Sequence, residues 1–283
     1  MIPKYRKQFN AEFSPEKYQN ILDHLQEEGG IYPQFRVSES PIFLTTEFID
    51  KLHGACDSII SQIKEMSPQE LDLAIPDDCR VPNDTLQPHF FTIDFGICQN
   101  EKGEIVPELI ELQSFPTLYC FQKELQNAFV SEYDFLKPLK TPKSDEQYYQ
   151  ELRDLIVGDE NPENVILMEI FPDSQKTNID FYLTKKRLGI EIVCLTKVKK
   201  EGRKLYYEKD GRKIQIKRIY NRVIFDEINK IPDLKTEFDF REEADVKWIT
   251  HPNWFFKISK FILPKLMHEF VPKSYFLNDF PKH

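Results

Sequence analysis

The sequence predicts an α/β fold, and three of its stretches carry that expectation. Two apolar runs, residues 90–98 and 106–113, flank a connection containing Lys102-Gly103, which is the pattern of a β-hairpin. Residues 164–171 form a nearly continuous apolar run bounded by turn signals, as expected of a strand buried on both faces. A helical stretch and a second apolar run, residues 190–194, follow it, so that the three make a βαβ unit. Finally, residues 205–208 and 214–217 flank Asp210-Gly211, a strong signal for a two-residue hairpin turn.

The elements are justified in chain order. Ser14-Pro15-Glu16-Lys17 reads as an N-cap with proline at the first helical position, and Tyr18, Ile21, Leu22 and Leu25 follow at helical spacing as far as Gly29-Gly30. A second helix is expected from near Thr45-Thr46-Glu47, burying Phe48, Ile49, Leu52, Ile59, Ile60 and Ile63. Pro68, Pro76 and Pro82 then punctuate a loop-rich approach to the first hairpin. A turn centred between Lys102 and Gly103 sets Asp94 opposite Glu111, with Gln113 on the same face as Glu111.

Two opposed carboxylates repel each other and lose hydration inside an apolar sheet. A hard divalent cation such as Mg²⁺ would offset this, because Asp94, Glu111 and Gln113 offer it three oxygen ligands. The alternative is that one strand is an edge and both acids face water. A register slip of one residue would exchange the faces.

Beyond the hairpin, Ser114-Phe115-Pro116-Thr117 turns into a helix expected through Leu118, Phe121, Leu125 and Phe129. A polar linker with Pro138 and Pro142, residues 137–147, marks a domain boundary. In the βαβ unit the loop from Pro172 to Lys176 lies at the carboxyl end of the first strand, where open sheets bind ligands. Thr177 and Asp180 have capping-box spacing, opening a helix through Tyr182, Leu183 and Leu188. The strand after the second hairpin runs on through residues 218–223. Residues 245–254 lead into a helix carrying Phe261, Ile262, Leu263, Leu266 and Met267, kinked at Pro264.

Composition excludes some classes. With 40% hydrophobic and 13% aromatic residues the chain is not a disordered protein, and no run approaches the ~18 apolar residues of a membrane helix. The charged start lacks an apolar signal region. Five cysteines (Cys56, Cys79, Cys98, Cys120 and Cys194), scattered and without CxxC spacing, fit reduced thiols in a cytoplasm. Residues 185–222 hold 14 Lys/Arg against 4 Asp/Glu, a local +10 within a net charge of −9. That segment is either a solvated hairpin or an attractor of phosphates, with little aromatic support beyond Tyr206 and Tyr207 for nucleic acid. P-loop, dinucleotide-glycine, HExxH and GxSxG patterns are absent from the sequence.

An acid on the first hairpin strand and Glu-x-Gln on the second resemble the circularly permuted ATP-grasp ligases, of which glutathionylspermidine synthase and eukaryotic-type glutathione synthetase are members. The closing stretch, from His251-Pro252-Asn253-Trp254 through Ser259-Lys260-Phe261-Ile262-Leu263-Pro264 to Tyr275-Phe276-Leu277, resembles the synthase segment ahead of its ATP-binding strand. The resemblance runs from about residue 80 onward and rests on the order and spacing of the motifs. It implies Asp94, Glu111 and Gln113 as ligands of Mg²⁺ on ATP, and Lys260 on an ATP phosphate; the alternative for Lys260 is a solvated helix lysine.

The fold it implies is ATP-grasp-like with a Rossmann-like substrate-side domain. Residues 1–136 would be a helical region plus the metal-binding hairpin, 137–160 a linker, 161–232 the substrate side and 233–283 the start of the nucleotide-binding part. The implied activity joins a carboxylate to an amine through an acyl phosphate, on small-molecule or peptide-like substrates. Ser174, Lys176 and Asn178 would hold an anionic substrate at a helix N-terminus, or be ordinary helix caps. Arg218 and Arg222 would pair with a substrate carboxylate, or belong to the surface charge of the second hairpin.

Three departures qualify this expectation. Gln113 stands where the family has Asn, and Thr92 stands where the synthase pattern has Arg. The chain stops about where a second phosphate-binding lysine and a glycine-rich lid are expected, and no glycine follows Gly211. The expectation is therefore a ligase portion that does not transfer phosphate alone, the alternative being a non-catalytic binding module.

Overall fold

The computed structural model describes residues 2–115, 118–139 and 143–280. Helix α1 (Pro3–Glu12) stands where the sequence pattern predicts none; Phe9 is its one buried residue. Helix α2 (Pro15–Gly29) is capped as expected, Ser14 Oγ accepting from Lys17 N at 3.2 Å, and Gly30 closes it in the left-handed conformation. Helix α3 (Thr46–Glu65) starts at a Thr45 cap, and α4 (Pro68–Asp72) is a short sequel.

The first hairpin is β1 (Thr92–Gln99) and β2 (Ile105–Gln113). Asp94 does oppose Glu111, but by a different route from the predicted one. The loop is held by Asn100, whose Oδ1 accepts from Lys102 N at 3.0 Å and Glu104 N at 2.9 Å, with Gly103 at φ 79°. This centres the turn on Lys102, so that Gln99 pairs with Ile105 and Phe95 with Leu109. A bulge between Asp94 and Phe95 then leaves Ile110, 59% exposed, unopposed and brings Glu111 into line.

Helix α5 (Tyr119–Glu132) follows; the predicted turn residues Pro116 and Thr117 lie outside the described residues. The expected linker is partly structured. Residues Asp134–Leu139 form a 3₁₀ turn and α6 (Asp145–Ile156) begins with a Ser144–Gln147 capping box, while Pro142 lies outside the described residues.

The βαβ unit is β3 (Val165–Glu169), α7 (Asn178–Leu188) and β4 (Glu191–Cys194), and every β3 residue is buried. The capping box at Thr177 does not form. Asp180 Oδ1 instead accepts from Phe121 N at 2.9 Å, so it caps α5 across the interior. Strands β5 (Lys199–Glu201), β6 (Lys204–Lys209) and β7 (Arg212–Ile216) form an antiparallel sheet. Both residues of the β6–β7 turn, Asp210 at φ 50° and Gly211 at φ 72°, are left-handed, as a type I′ turn demands.

Strand β8 (Arg218–Asn221) returns beside β3, α8 (Phe225–Asn229) follows, and β9 (Lys247–Ile249) completes a parallel sheet of order β4-β3-β8-β9. The predicted C-terminal helix is two pieces, α9 (Asn253–Lys257) and the 3₁₀ turn Lys260–Lys265. Pro264 has no N–H to continue an α-helical ladder.

The alternation of β3 side chains sets the layers. Val165 and Leu167 join α2, α5 and α7 in one core, whereas Ile166 and Met168 pack against β6 and β7 in another. Each such residue contributes about 1.5–3 kcal/mol by leaving water. The apolar face of the hairpin, with Leu109 and Leu112, packs on α3 and on residues 254–266. The basic segment is largely ion-paired: Lys186 and Arg187 meet Glu28, Lys200 meets Glu242, Arg203 meets Asp245 and Lys217 meets Glu160. Among the described residues no helix is long and apolar enough to cross a membrane.

Candidate functional site

A cavity of about 500 Å³ lies between the first hairpin and the carboxyl ends of β3 and β8. Glu111, Gln113, Ser259 and Lys260 line one end of it; Glu169, Gln175, Thr177, Arg222 and Glu227 line the other, with Phe115, Leu118 and Phe255 among its apolar walls.

The hairpin end is built by pairing. Thr92, Asp94, Glu111 and Gln113 share one face, and Gln113 Nε2 donates to Asp94 Oδ2 at 2.9 Å and to Glu111 Oε1 at 3.3 Å. One amide NH₂ thus answers both carboxylates and offsets part of the repulsion the pair would otherwise carry. Two carboxylates with an amide oxygen are the kind of donor set that suits Mg²⁺, and here the amide presents its NH₂ to both acids. Among the described residues no group of three His, Cys, Asp or Glu side chains is placed to hold a metal. Lys260 is exposed at the same end, on the 3₁₀ turn that Ser259 caps.

The other end is built by the parallel sheet. Met168 pairs with Asn221, so β3 and β8 deliver their next residues, Glu169 and Arg222, to the same edge. Arg222 is anchored by its backbone N–H on Met168 O at 2.9 Å, while its Nε and Nη1 are buried with no hydrogen-bond partner among the described residues. Its guanidinium lies over Phe115 and Phe181, 5.7 and 5.6 Å from the ring centres. Glu169 is 4% exposed, and its Oε1 accepts from Ile170 N at 2.8 Å. Burial pushes its carboxyl up to about 8, against the pull of that N–H and of Arg222. Burial also raises Glu227.

Two non-glycine residues follow strands of this sheet in the left-handed region, Phe171 at φ 45° after β3 and Thr250 at φ 66° after β9. Such backbone costs about 1–3 kcal/mol per residue and needs its surroundings to hold it. Thr250 Oγ1 donates to Asn221 O at 2.7 Å. The neighbouring His251 is fully buried, its Nε2 donating to Pro82 O at 3.0 Å while Nδ1 accepts from Asn253 N at 3.2 Å. Burial lowers its pKa, so the ring is the neutral Nε2–H tautomer.

Other predicted residues are placed elsewhere. Arg218, at the amino end of β8, donates to Ile156 O at 2.9 Å and Leu155 O at 2.7 Å, so it ties α6 to the sheet. Ser174 Oγ donates to Phe171 O at 2.8 Å, and Lys176 is exposed. Asn178 is buried, its Nδ2 donating to Asp173 O at 3.1 Å and its Oδ1 without a partner among the described residues. None of these four lines the cavity; Gln175 and Thr177 of the same loop do. The sequence reading missed Glu169, although it is the one charged residue in the apolar run 164–171.

No protein-family model matches the sequence, nor does any curated protein. Among solved structures the fold is similar to that of a glutathione synthetase-like effector from Globodera pallida in its apo form. The TM-score is 0.57 at 11% identity, and the match covers 90% of this chain and 65% of that one. The chain therefore has a mixed α/β, glutathione-synthetase-like fold, and it spans 65% of the length of that neighbour.

Proposed function

We propose that this chain is a portion of an ATP-dependent carboxylate–amine ligase of the circularly permuted ATP-grasp type. The observation that carries the reading is the meeting of Glu111, Gln113, Lys260 and Arg222 on one cavity, from positions 111 to 260 in the sequence. In this reading Asp94, Glu111 and Gln113 hold Mg²⁺, which screens the phosphates of ATP, and the Lys260 ammonium supplies further positive charge at the same end. Arg222, anchored through its backbone, receives the substrate carboxylate, oriented by the phenyl rings of Phe115 and Phe181. Phosphoryl transfer depends on positioning and charge neutralisation, and in this reading one cavity would hold the Mg²⁺-bound phosphates at one end and the substrate carboxylate at the other. Residues 212–283 contain no glycine, so a lid whose backbone amides approach the phosphates is not drawn from them.

The test uses Mn²⁺ as a stand-in for Mg²⁺. Water-proton relaxation should report Mn²⁺ bound to the protein and lost in Glu111→Ala. Equal Mn²⁺ binding by both proteins would overturn the metal assignment.

A further inference from the structure

Glu169 and Arg222 leave adjacent parallel strands at the same edge, both line the cavity, and no ion pair joins them among the described residues. The guanidinium keeps two buried nitrogens unpartnered, which is costly unless a ligand completes them. Among the described residues the Glu169 carboxyl makes a single hydrogen bond, its Oε1 accepting from the neighbouring Ile170 N–H.

We propose that Glu169 is a specificity-determining partner of Arg222. Protonated, it donates through its second oxygen to the same ligand carboxylate that the guanidinium receives, so this end of the cavity takes up a carboxylate together with a proton. The inference rests on the assignment of Arg222 as the carboxylate receptor. A carboxyl group held neutral near pH 7 by an apolar site is a hydrogen-bond donor rather than a competing anion. Burial provides that condition here, since it holds this carboxyl at about 8.

The charged groups around it act in opposite directions, the pull of Arg222 outweighing the push of Glu227, so burial is what keeps the carboxyl neutral. Glu227 of α8 opposes ionisation of Glu169, and Arg222 alone pulls the other way. Glu111 and Lys260 line the far end of the cavity. When Glu169 ionises, it offsets the charge of Arg222 and repels an incoming carboxylate, so affinity falls as pH rises through the Glu169 pKa. By linkage, binding draws in a proton where Glu169 is partly ionised.

The experiment titrates the whole chain with N-acetylalanine, a carboxylate without an amine, by NMR at about pH 6.5 and about pH 9.5. Affinity should fall about tenfold or more between the two. Calorimetry near pH 8 in buffers of different ionisation enthalpy should show proton uptake. Glu169→Gln, which keeps a donor but cannot ionise, should bind equally at both pH values; Glu227→Gln should keep most of the fall, and Arg222→Met should bind at neither. A pH-independent wild type, a fall that survives in Glu169→Gln, or no binding by the wild type would each overturn the proposal. The probe needs neither nucleotide nor metal. PH-coupled binding without any Mg·ATP affinity would therefore sink the ligase reading and leave this one standing.

Discussion

The two ends of the cavity satisfy their polar groups in opposite ways. At the hairpin end Asp94, Glu111 and Gln113 satisfy one another, because one amide bridges both carboxylates. At the sheet end Arg222 keeps two buried nitrogens without partners among the described residues, and Glu169 is driven toward its neutral form. A self-satisfied cluster holds its shape before a ligand arrives. An unsatisfied one leaves room for exactly the chemistry that would complete it, and its cost is met by the packing around it.

The sharpest contrast lies between two arginines near the ends of one strand. Arg218→Met should destabilise the fold by about 2–4 kcal/mol, because it strands the Leu155 and Ile156 carbonyls and leaves a gap beside Gly158. Arg222→Met should cost under about 1 kcal/mol, since it removes a guanidinium whose buried nitrogens make no hydrogen bond. Denaturant melts of both variants check this, and equal losses would erase the distinction between a structural and a ligand-binding arginine.

The next effect concerns the amide bridge. Gln113→Leu should cost about 1–2 kcal/mol by leaving Asp94 and Glu111 facing each other unbridged. A melt unchanged by this substitution would show that the bridge adds nothing to the hairpin.

pH separates the two ends further. A carboxyl whose folded pKa lies above its unfolded value binds more protons in the folded state, so stability is lost as pH rises between the two values. For Glu169 that window runs from the ordinary value of about 4.5 to about 8, and for Asp180 from about 3.8 to about 6. Glu169→Gln should therefore flatten the decline above pH 6 by at most about 1.4 kcal/mol per pH unit. Urea melts across that range give the slope, and an unchanged slope would contradict the neutral carboxyl. The smallest effect is expected at Lys260: Lys260→Ala should change stability by less than about 0.5 kcal/mol, because its side chain is exposed.

The hairpin end was legible in the sequence and the sheet end largely was not. Apolar alternation around Lys102-Gly103 placed Asp94 against Glu111, yet the pairing depends on a bulge at Ile110 and a turn centred on Lys102 that compensate each other. Hairpin arithmetic cannot foresee such compensation. The cap at Ser14, the helix start near Thr45 and the turn at Asp210-Gly211 were readable because their chemistry is local. Glu169, Gln175 and Glu227 meet only through the parallel pairing of β3 with β8 and the return of α8, which are contacts between distant segments. Arg218 and Arg222 look alike in sequence; the strand between them sends one into the α6 carbonyls and the other into the cavity. Asp180 misled for a related reason, since its spacing from Thr177 suits a cap on its own helix while its oxygen serves α5.

The central claim is that the hairpin end holds a metal–phosphate group. It is tested most directly by calorimetric titration with β,γ-methylene-ATP, with and without Mg²⁺, on the wild type, Glu111→Ala and Lys260→Ala. The account predicts binding that requires Mg²⁺ and falls about tenfold or more in each variant, as expected for lost charge-assisted contacts. Nucleotide binding that ignores Mg²⁺, or that both variants retain in full, would contradict it.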